Sequence, residues 1–428
     1  MSTQIKTHQI FPTYHSNTFT SFDIPSKVYL NTFRLANVQA KPNVDATYQP
    51  LVGMNALFKH IILYSQNSII DQSREAPEYL AFEQLRKPNV YNSNMGNPQT
   101  GTIWGFKESH TVNANRTPLV AQTLIPSINY TKSSSSVKPI KTLVTLANSG
   151  TFNLQDCLKF LTSDAIVPGT QFPSMRLTIE WETDAALVFG KTVPASWDVV
   201  EPILFVDEVI TPSILQSVSK KRNYKIPYFS MEKDRVVVSA VVADTIKQET
   251  IPIRGFKDKS VRRMLLVNVP DVSSALLKQN ASTSQYKEVI NVRLNGKTFF
   301  PSVGINSENK KLDLLQQAWG QMNCYQGSQF IGLENDENFL STTDLGATYD
   351  ATAAKIVTTK GLQGFVSYGG FVLQSPISDL EIEYSRTGYG VDKSSVANGI
   401  NKFFLDVYGE VYKSLEIRNG QLYSVNYE

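Results

Sequence analysis

Short apolar runs with alternating side chains, separated by clusters of Gly, Pro, Asn and Ser, dominate the chain. Clear examples are MRLTIEWE at 175–182, RVVVSAVVA at 235–243 and DLEIEYS at 379–385. Successive side chains of a strand point to opposite faces of a sheet, so this period of two predicts half-buried strands. No long helical segments separate the runs, which favours sandwiches or barrels over βαβ units. The sequence therefore predicts an all-β protein, with strands at 28–35, 56–64, 140–147, 175–182, 199–210, 235–243, 262–269, 288–300, 364–373, 379–385, 403–412 and 415–427.

Helical signals are few and short. Apolar residues recur at helical spacing in 73–85, where Pro88 follows as a stop signal, and in 311–322. A third segment, 154–161, follows Asn153, a residue type that caps helix N-termini. The sequence predicts these three helices as additions to a sheet framework.

The same order of elements occurs twice along the chain. A strand at 57–64, a turn and a second short strand precede the 73–85 helix. In the second half, a strand at 289–294 leads through Asn295-Gly296, a preferred two-residue hairpin turn, towards the 311–322 helix. This pattern predicts an internal duplication.

A long polar stretch follows the helix in each half, at 89–136 and at 327–361, and each half then closes on paired strands. We expect these stretches to form long loops. The segment between the halves contains Lys220-Lys221-Arg222 and two prolines, and we interpret it as a linker. The predicted division is an N-terminal arm at 1–20, a first domain at 21–225 that includes the linker 211–225, and a second domain at 226–428.

Composition narrows the function. The 41 basic and 38 acidic residues leave a net charge of +3, too little for a surface devoted to nucleic acid. The two cysteines indicate a reducing compartment, and the N-terminal sequence lacks the apolar segment of a secretory signal peptide. No apolar run of about 18 residues predicts a membrane-spanning helix. We expect synthesis in a reducing cytoplasm.

Motifs for catalysis and cofactor binding are missing. The sequence has no CxxC or HExxH metal motif, no phosphate-binding GxxxxGK[ST], and no nucleophile motif GxSxG. The prediction is therefore a protein that is not an enzyme, with no catalytic residues, no metal site, no cofactor and no small-molecule substrate.

Paired carboxylates keep one alternative open. Glu180 and Glu182 flank Trp181, and Glu381 and Glu383 share another strand. Two acids on one strand face could act on a glycosidic bond beside an aromatic platform. The favoured interpretation is that they lie on the outer face of an amphipathic strand, because Leu177, Ile179 and Trp181 supply the matching inner face. The alternative function is a carbohydrate-binding or glycan-active β-sandwich protein.

Two similar β-domains in tandem predict paired eight-stranded jelly rolls. Three segments carry a family resemblance: NALFKHIILYSQNSIIDQSREAPEYLAF at 55–82, INVRLNGKTFFPSV with KKLDLLQQAWG in 290–320, and LDVYGEVYKSLEIRNGQLYSVNYE at 405–428. With them the chain resembles a double jelly-roll major capsid protein, most like those of polinton-like viruses and virophages. This lineage includes adenovirus-type hexons and tailless membrane-containing phages.

The resemblance implies a structural protein of the virion. It implies a homotrimer that forms a pseudo-hexameric capsomer, and capsomers that build an icosahedral shell. The implied partners are copies of the chain, neighbouring capsomers, and penton and minor capsid proteins. A viral spike or a minor capsid subunit is the other viral alternative.

Residues 1–20 contain apolar side chains among polar ones, and Pro12 interrupts any helix. Because such a segment cannot form its own core, we expect it to be disordered or to lie on a neighbouring subunit. The resemblance favours an inter-subunit contact, for which the candidate residues are Ile10, Phe11, Tyr14 and Phe19.

Two basic clusters complete the candidates. One is Lys220-Lys221-Arg222, and the other comprises Lys257, Lys259, Arg262 and Arg263. On the inner side of a shell they could contact packaged DNA or lipid headgroups. Alternatively, they form an ordinary solvated surface.

Overall fold

The computed structural model describes residues 3–43, 53–86, 150–189, 193–242, 245–271, 282, 288–300, 304–320, 347–350, 355–358, 368–387 and 402–428. The predicted strand 140–147 and the polar stretch 89–136 lie outside the described residues. Of the stretch 327–361, only two short strands are described.

Strands form most of the described chain. Those before residue 210 are β1 Ile5–Ile10, β2 Tyr14–His15, β3 Phe19–Asp23, β4 Val28–Leu30, β5 Arg34–Val38, β6 Ala40–Pro42, β7 Phe58–Ser65, β8 Ser68–Arg74, β9 Gly150–Asn153, β10 Ile166–Pro168, β11 Met175–Trp181, β12 Trp197–Val199 and β13 Ile203–Val209. The later strands are β14 Tyr224–Val238, β15 Ile246–Pro252, β16 Lys259–Pro270, β17 Val289–Leu294, β18 Lys297–Thr298, β19 Ala347–Asp350, β20 Lys355–Thr358, β21 Tyr368–Ile377, β22 Leu380–Thr387, β23 Phe403–Arg418 and β24 Gln421–Tyr427. The α-helices are α1 Ala76–Arg86, α2 Ala185–Val188, α3 Pro212–Lys220 and α4 Glu308–Trp319.

Each half forms two facing antiparallel sheets with the same strand order. The main path in the first half is β1–β13–β5–β9 in one sheet and β3–β11–β7–β8 in the other. In the second half it is β14–β23–β16–β21 and β15–β22–β17–β18. We number the eight strands on these main paths from one to eight in chain order within each half. The two sheets then have the orders 1-8-3-6 and 2-7-4-5 in both halves. The prediction of two tandem eight-stranded jelly rolls is confirmed.

The N-terminal residues correct the sequence analysis. Strand β1 pairs with β13 of the same chain, from Ile5 opposite Val209 to Ile10 opposite Leu204. It takes the place in the first barrel that β14 takes in the second, where β14 pairs with β23. Residues 3–20 are therefore not a separate arm, because their strands are built into the first barrel's sheets. The sequence hid this strand because its side chains are mostly exposed on both faces.

The structure differs from the prediction at the start of α1, in the segment 154–161 and in the predicted linker. Strand β8 continues through Arg74, so α1 begins later than predicted. The predicted helix 154–161 consists of two 3₁₀ turns, Leu154–Asp156 and Lys159–Thr162, and the Asn153 cap is confirmed by its bond to the Gln155 N–H. The predicted linker contains α3.

Each barrel has its own apolar core, but the first core is completed by the second half. Tyr228, Leu415 and Ile417 are buried in the first cluster, with Leu422 and Val425 packed against it. A ribbon of β14, β23 and β24 thus covers the first barrel. The C-terminal residues of the chain therefore stabilise its N-terminal barrel.

Antiparallel strands give each barrel two different ends. When strands are counted from one to eight within each barrel, the connections after the second, fourth, sixth and eighth strands meet at one end, which we call the turn end. In the second barrel, the connections after the second, fourth and sixth strands are 253–258, 295–296 and 378–379. The long connections after the fifth strands, 75–149 and 299–367, start from the opposite, loop end.

The turn ends of both barrels face the same way. Tyr224, at the start of β14, donates its hydroxyl hydrogen to Gln171 at the turn end of the first barrel. Helix α1, which leaves the loop end of the first barrel, packs against Tyr368, where β21 begins. The two barrels therefore stand side by side with matching ends.

Candidate functional site

Neither a cluster of metal ligands nor a membrane-spanning helix occurs among the described residues. Among the residues described, no three His, Cys, Asp or Glu side chains lie together as metal ligands would. No helix in the same residues combines the length and apolar character needed to span a membrane.

Helix α1 forms the joint between the barrels. Its Tyr79 and Phe82 are buried in a cluster with Trp319, Tyr368 and Tyr408 of the second half. The Phe82 ring meets the Trp319 ring edge-on at 5.3 Å, and lies 5.4 Å from the Tyr368 ring. Large aromatic contacts of this kind fix one element firmly against another.

A buried cluster of charges lies beside these rings. Glu78 of α1 lies 2.9 Å from the Lys233 ammonium and accepts a 2.7 Å hydrogen bond from Arg235. Arg235 also binds Asp406 through two 2.7 Å contacts, and the Tyr408 hydroxyl donates to Glu78 at 2.8 Å. Glu78 and Asp406 are almost completely buried. The cluster therefore links the two halves through directional, charge-assisted bonds.

The two carboxyl groups of the cluster differ in acidity. Burial, together with the charge of Asp406, raises the pKa of Glu78 to about 8. Burial also opposes the charge of Asp406, but hydrogen bonds from Arg235 and the charge of Lys233 outweigh it and lower its pKa to about 2. At neutral pH the Asp406 carboxylate carries the charge and Glu78 holds a proton.

A second buried carboxyl, Asp71, bridges the halves nearer the turn end. It accepts hydrogen bonds from the Ser230 hydroxyl at 2.6 Å and the Phe160 N–H at 2.8 Å. Burial raises the pKa of Asp71 to about 6 despite these bonds. The hydroxyl of Tyr228 donates to the carbonyl of Ile70 alongside. The two halves are therefore joined by buried polar contacts at two places, around Glu78 and around Asp71.

The candidate contact residues from the sequence divide into two groups. Ile10 is half-buried and packs against the first core, so it already has a partner within its own chain. Phe11, Tyr14 and Phe19 are exposed, by 61%, 55% and 37%. The Tyr14 and Phe19 rings lie 6.1 Å apart, so these aromatic side chains form a small apolar surface beside β2.

Exposed apolar residues occur at the equivalent corner of the second barrel. Val237, Val242 and Ile246 surround the connection from β14 to β15, and they are 53%, 72% and 72% exposed. The sequence analysis missed this surface because it placed one buried strand over 235–243. The continuous apolar run, with no polar residue after Ser239 to mark an outer face, was the available signal.

The carboxylate pairs do not form a glycan site. Trp181 is fully buried and donates its indole N–H to Thr20 at 2.8 Å, so it offers no platform. Glu182 accepts hydrogen bonds from two backbone N–H groups that follow it, and Glu180 pairs with Lys59 at 2.8 Å.

On the second strand, the Arg293 guanidinium lies 3.4 Å from Glu383 and 3.8 Å from Glu381. All four acids therefore serve local contacts. The geometry gives the carbohydrate alternative no support.

The basic clusters differ from each other. Lys259 pairs with Glu232 at 2.7 Å, and Arg263 with Glu410 at 2.7 Å, so both act within the fold. Lys220, Lys221 and Arg222 are exposed after α3.

Sequence reasoning also missed the charged joint. The signal was present as isolated charges within apolar segments, Glu78 in APEYLAF and Asp406 in FFLDVYGEVY. No partner could be assigned to either residue without knowing that helix and strand meet.

The fold is similar to that of double jelly-roll major capsid proteins of viruses. A chain of the cryo-EM structure of the Sputnik virophage aligns with a TM-score of 0.57 at 11% identity, over 99% of this chain and 88% of that one. PBCV-1 VP54, fitted into a reconstruction of Sputnik, gives 0.55 at 11% identity, over 100% and 98%. A chain of the quasi-atomic PBCV-1 capsid gives 0.50 at 11% identity, over 100% and 98%. No protein-family model matches the chain, and no curated protein matches it.

Proposed function

We propose that the protein is the major capsid protein of a virus and has no enzymatic role. One observation carries the proposal: two barrels of identical strand order stand side by side, joined through buried aromatic and charged contacts of α1. A rigid pair of similar barrels is a building block for a shell. It needs broad, repeatable surfaces and no reactive site.

Three copies arranged around a threefold axis would present six similar barrels. Such a capsomer has a nearly hexagonal outline, which allows six neighbours to pack around it in an icosahedral shell. Interfaces that hold such assemblies bury about 2,000 Å² or more. The proposed location is the virion, after synthesis in the host cytoplasm.

Phe11, Tyr14 and Phe19 are the proposed contacts with a neighbouring copy. They are exposed aromatic side chains, and aromatic residues are enriched among those that dominate binding energy at interfaces. Ile10 supports this surface from below rather than contacting the neighbour directly. Penton and minor capsid proteins are further proposed partners, and the inner face would contact lipid or packaged DNA.

The oligomeric state tests the proposal. We expect light scattering of the purified protein to give three times the mass of the chain, and negative-stain images to show pseudo-hexagonal particles. A protein that stays monomeric at high concentration, under all assembly conditions tried, would contradict it.

A triple variant tests the contact surface. Replacing Phe11, Tyr14 and Phe19 with serine should weaken trimer formation by about 2 kcal/mol or more per central side chain. The matched control is Tyr423→Ser, which removes an aromatic ring that is 63% exposed elsewhere on the molecule. Equal trimer stability in both variants would place the contact at another surface.

A further inference from the structure

Helix α3 crosses the turn end of the first barrel without being buried there. None of its nine residues is buried, although Ile214, Leu215 and Val218 share one side. Leu215 is 37% exposed, and Ile210, just before the helix, is 40% exposed. Grooves lie on both sides of the helix. The helix therefore presents apolar surface that the described residues do not cover.

Three cations lie at the C-terminal end of the helix, and the first of them, Lys220, is its last residue. Lys220, Lys221 and Arg222 are exposed, and none of them forms an ion pair with another described residue. The amide of Gln171 donates to the carbonyls of Val218 at 3.2 Å and Lys221 at 2.8 Å. These bonds hold the end of the helix on the first barrel, so the cations have a fixed place at the turn end.

The turn end of the second barrel adds to this charge. Arg254 and Lys257 are exposed in the connection from β15 to β16, which faces the same way as α3. The exposed acids in the turn-end connections are Asp164, Asp258 and Asp379. Cations therefore outnumber acids there, and the excess is concentrated next to the apolar residues of α3.

Exposed apolar side chains beside unpaired cations match the chemistry of an anionic membrane surface. Nucleic acid would require the cations but would gain nothing from Ile210 and Leu215. Interfacial helices combine both features, since apolar residues enter the boundary of the acyl chains while Lys and Arg meet the headgroup phosphates.

We propose that α3 and Lys220-Lys221-Arg222 form a docking surface for a bilayer that contains anionic phospholipids. The proposal rests on the proposed capsid function for its setting, with the turn end as the inner face of the shell.

Flotation with vesicles tests the proposal on the full chain. The protein should float with vesicles of phosphatidylcholine and phosphatidylserine, and should stay in solution with vesicles of phosphatidylcholine alone. Lys220→Gln/Arg222→Gln should weaken binding about 25-fold, because each cation near an anionic surface contributes roughly fivefold. This pair leaves the Lys221 ammonium over the Tyr224 ring, at 5.9 Å. Leu215→Ser should weaken binding several-fold.

The matched control is Lys41→Gln/Arg74→Gln, which removes the same charge from an exposed lysine and an exposed arginine away from the turn end. It should bind like the parent. Equal binding by the two charge variants, or flotation independent of phosphatidylserine, would overturn the proposal. Binding to a DNA duplex that depends on Lys220 and Arg222, without vesicle binding, would overturn it in favour of nucleic acid.

Light scattering on the same preparations separates the two hypotheses. A trimer that does not bind vesicles contradicts only the lipid surface. A monomer that binds them contradicts the capsid function instead.

Discussion

The charged joint between the barrels leads to an asymmetric prediction for its two carboxyl groups. Asp406→Asn removes three charge-assisted contacts, two from Arg235 and one from Lys233 at 2.9 Å. Lys233 is only 5% exposed at its side chain, so its charge would lose a buried partner. Breaking a buried ion pair on one side costs about 3–5 kcal/mol. Glu78→Gln replaces a carboxyl that is protonated in the folded protein at neutral pH, and should cost about 1 kcal/mol at pH 4, where that carboxyl is protonated in the unfolded chain as well.

The pH dependence of stability distinguishes this assignment of charge from a simple loss of packing in the variants. The pKa of Glu78 is raised from its ordinary value of 4.5 to about 8 in the folded protein. Its proton therefore stabilises the folded state fully below pH 4.5, and this stabilisation is lost as the pH rises through 8. Relative to the parent, Glu78→Gln should be slightly less stable at pH 4, should gain on the parent as the pH rises above 4.5, and should be more stable at pH 9.

Urea unfolding followed by tryptophan fluorescence measures both variants. Trp319 lies in the joint and donates its indole N–H to the Met264 carbonyl at 2.9 Å, so it reports on this region. The control is Asp313→Asn, an exposed position on α4 that should change the free energy of unfolding by less than about 0.5 kcal/mol. A Glu78→Gln variant that is destabilised as much as Asp406→Asn at pH 7, or that is still less stable than the parent at pH 9, would refute the assignment of charge.

Three further predictions concern Asp71, strand β24 and Gly370. Protonation of Asp71 stabilises the folded state fully below pH 3.8, and this stabilisation is lost as the pH rises through 6. In urea titrations, the free energy of unfolding of Asp71→Asn should therefore exceed that of the parent by up to about 3 kcal/mol at pH 8, and should equal it at pH 4. Termination after Arg418 removes strand β24 from the first core, so we expect a loss of about 2–4 kcal/mol and faster proteolysis of the first half; unchanged proteolysis would contradict the shared core. Gly370→Ala would place a methyl group 2.6 Å from the Leu315 side chain and 3.0 Å from the Met264 carbonyl oxygen, so α4 must shift. We expect a cost of about 1–3 kcal/mol in thermal unfolding.

Patterns with one solvated face could be predicted from the sequence. Strand β11 was predicted within one residue because Leu177 and Ile179 alternate with outward-facing polar side chains. The Asn295-Gly296 turn is confirmed, with positive φ at both residues. The same dipeptide at Asn419-Gly420 ends β23, also with positive φ, but the prediction split this strand earlier at Lys413. The local signal was available there and was not used.

The alternation of apolar and polar side chains does not predict strands that are buried on both faces, or strands that are exposed on both faces. Strand β23 directs Leu405 and Val407 into the second core, while Phe404 and Tyr408 face the joint. Its alternation is therefore between two buried environments, and hydrophobicity alone shows no period. Strand β1 has the opposite composition, since its pairing with β13 is supported by polar contacts such as Thr7 with Asp207 at 2.6 Å. Tertiary context decides both cases.

The polar joint contrasts with the apolar cores that it connects, and the contrast has a physical consequence. Apolar surfaces attract without direction, so two barrels held only by Phe82 and its neighbours could settle at several relative angles. Hydrogen bonds of Arg235 to Glu78 and Asp406 require one geometry, because a shift leaves a buried charge unpaired. We infer that the charged cluster selects the angle between the barrels, while the aromatic contacts and the shared ribbon supply the stability. The proposed hexagonal outline of three chains would depend on that angle being the same in every copy.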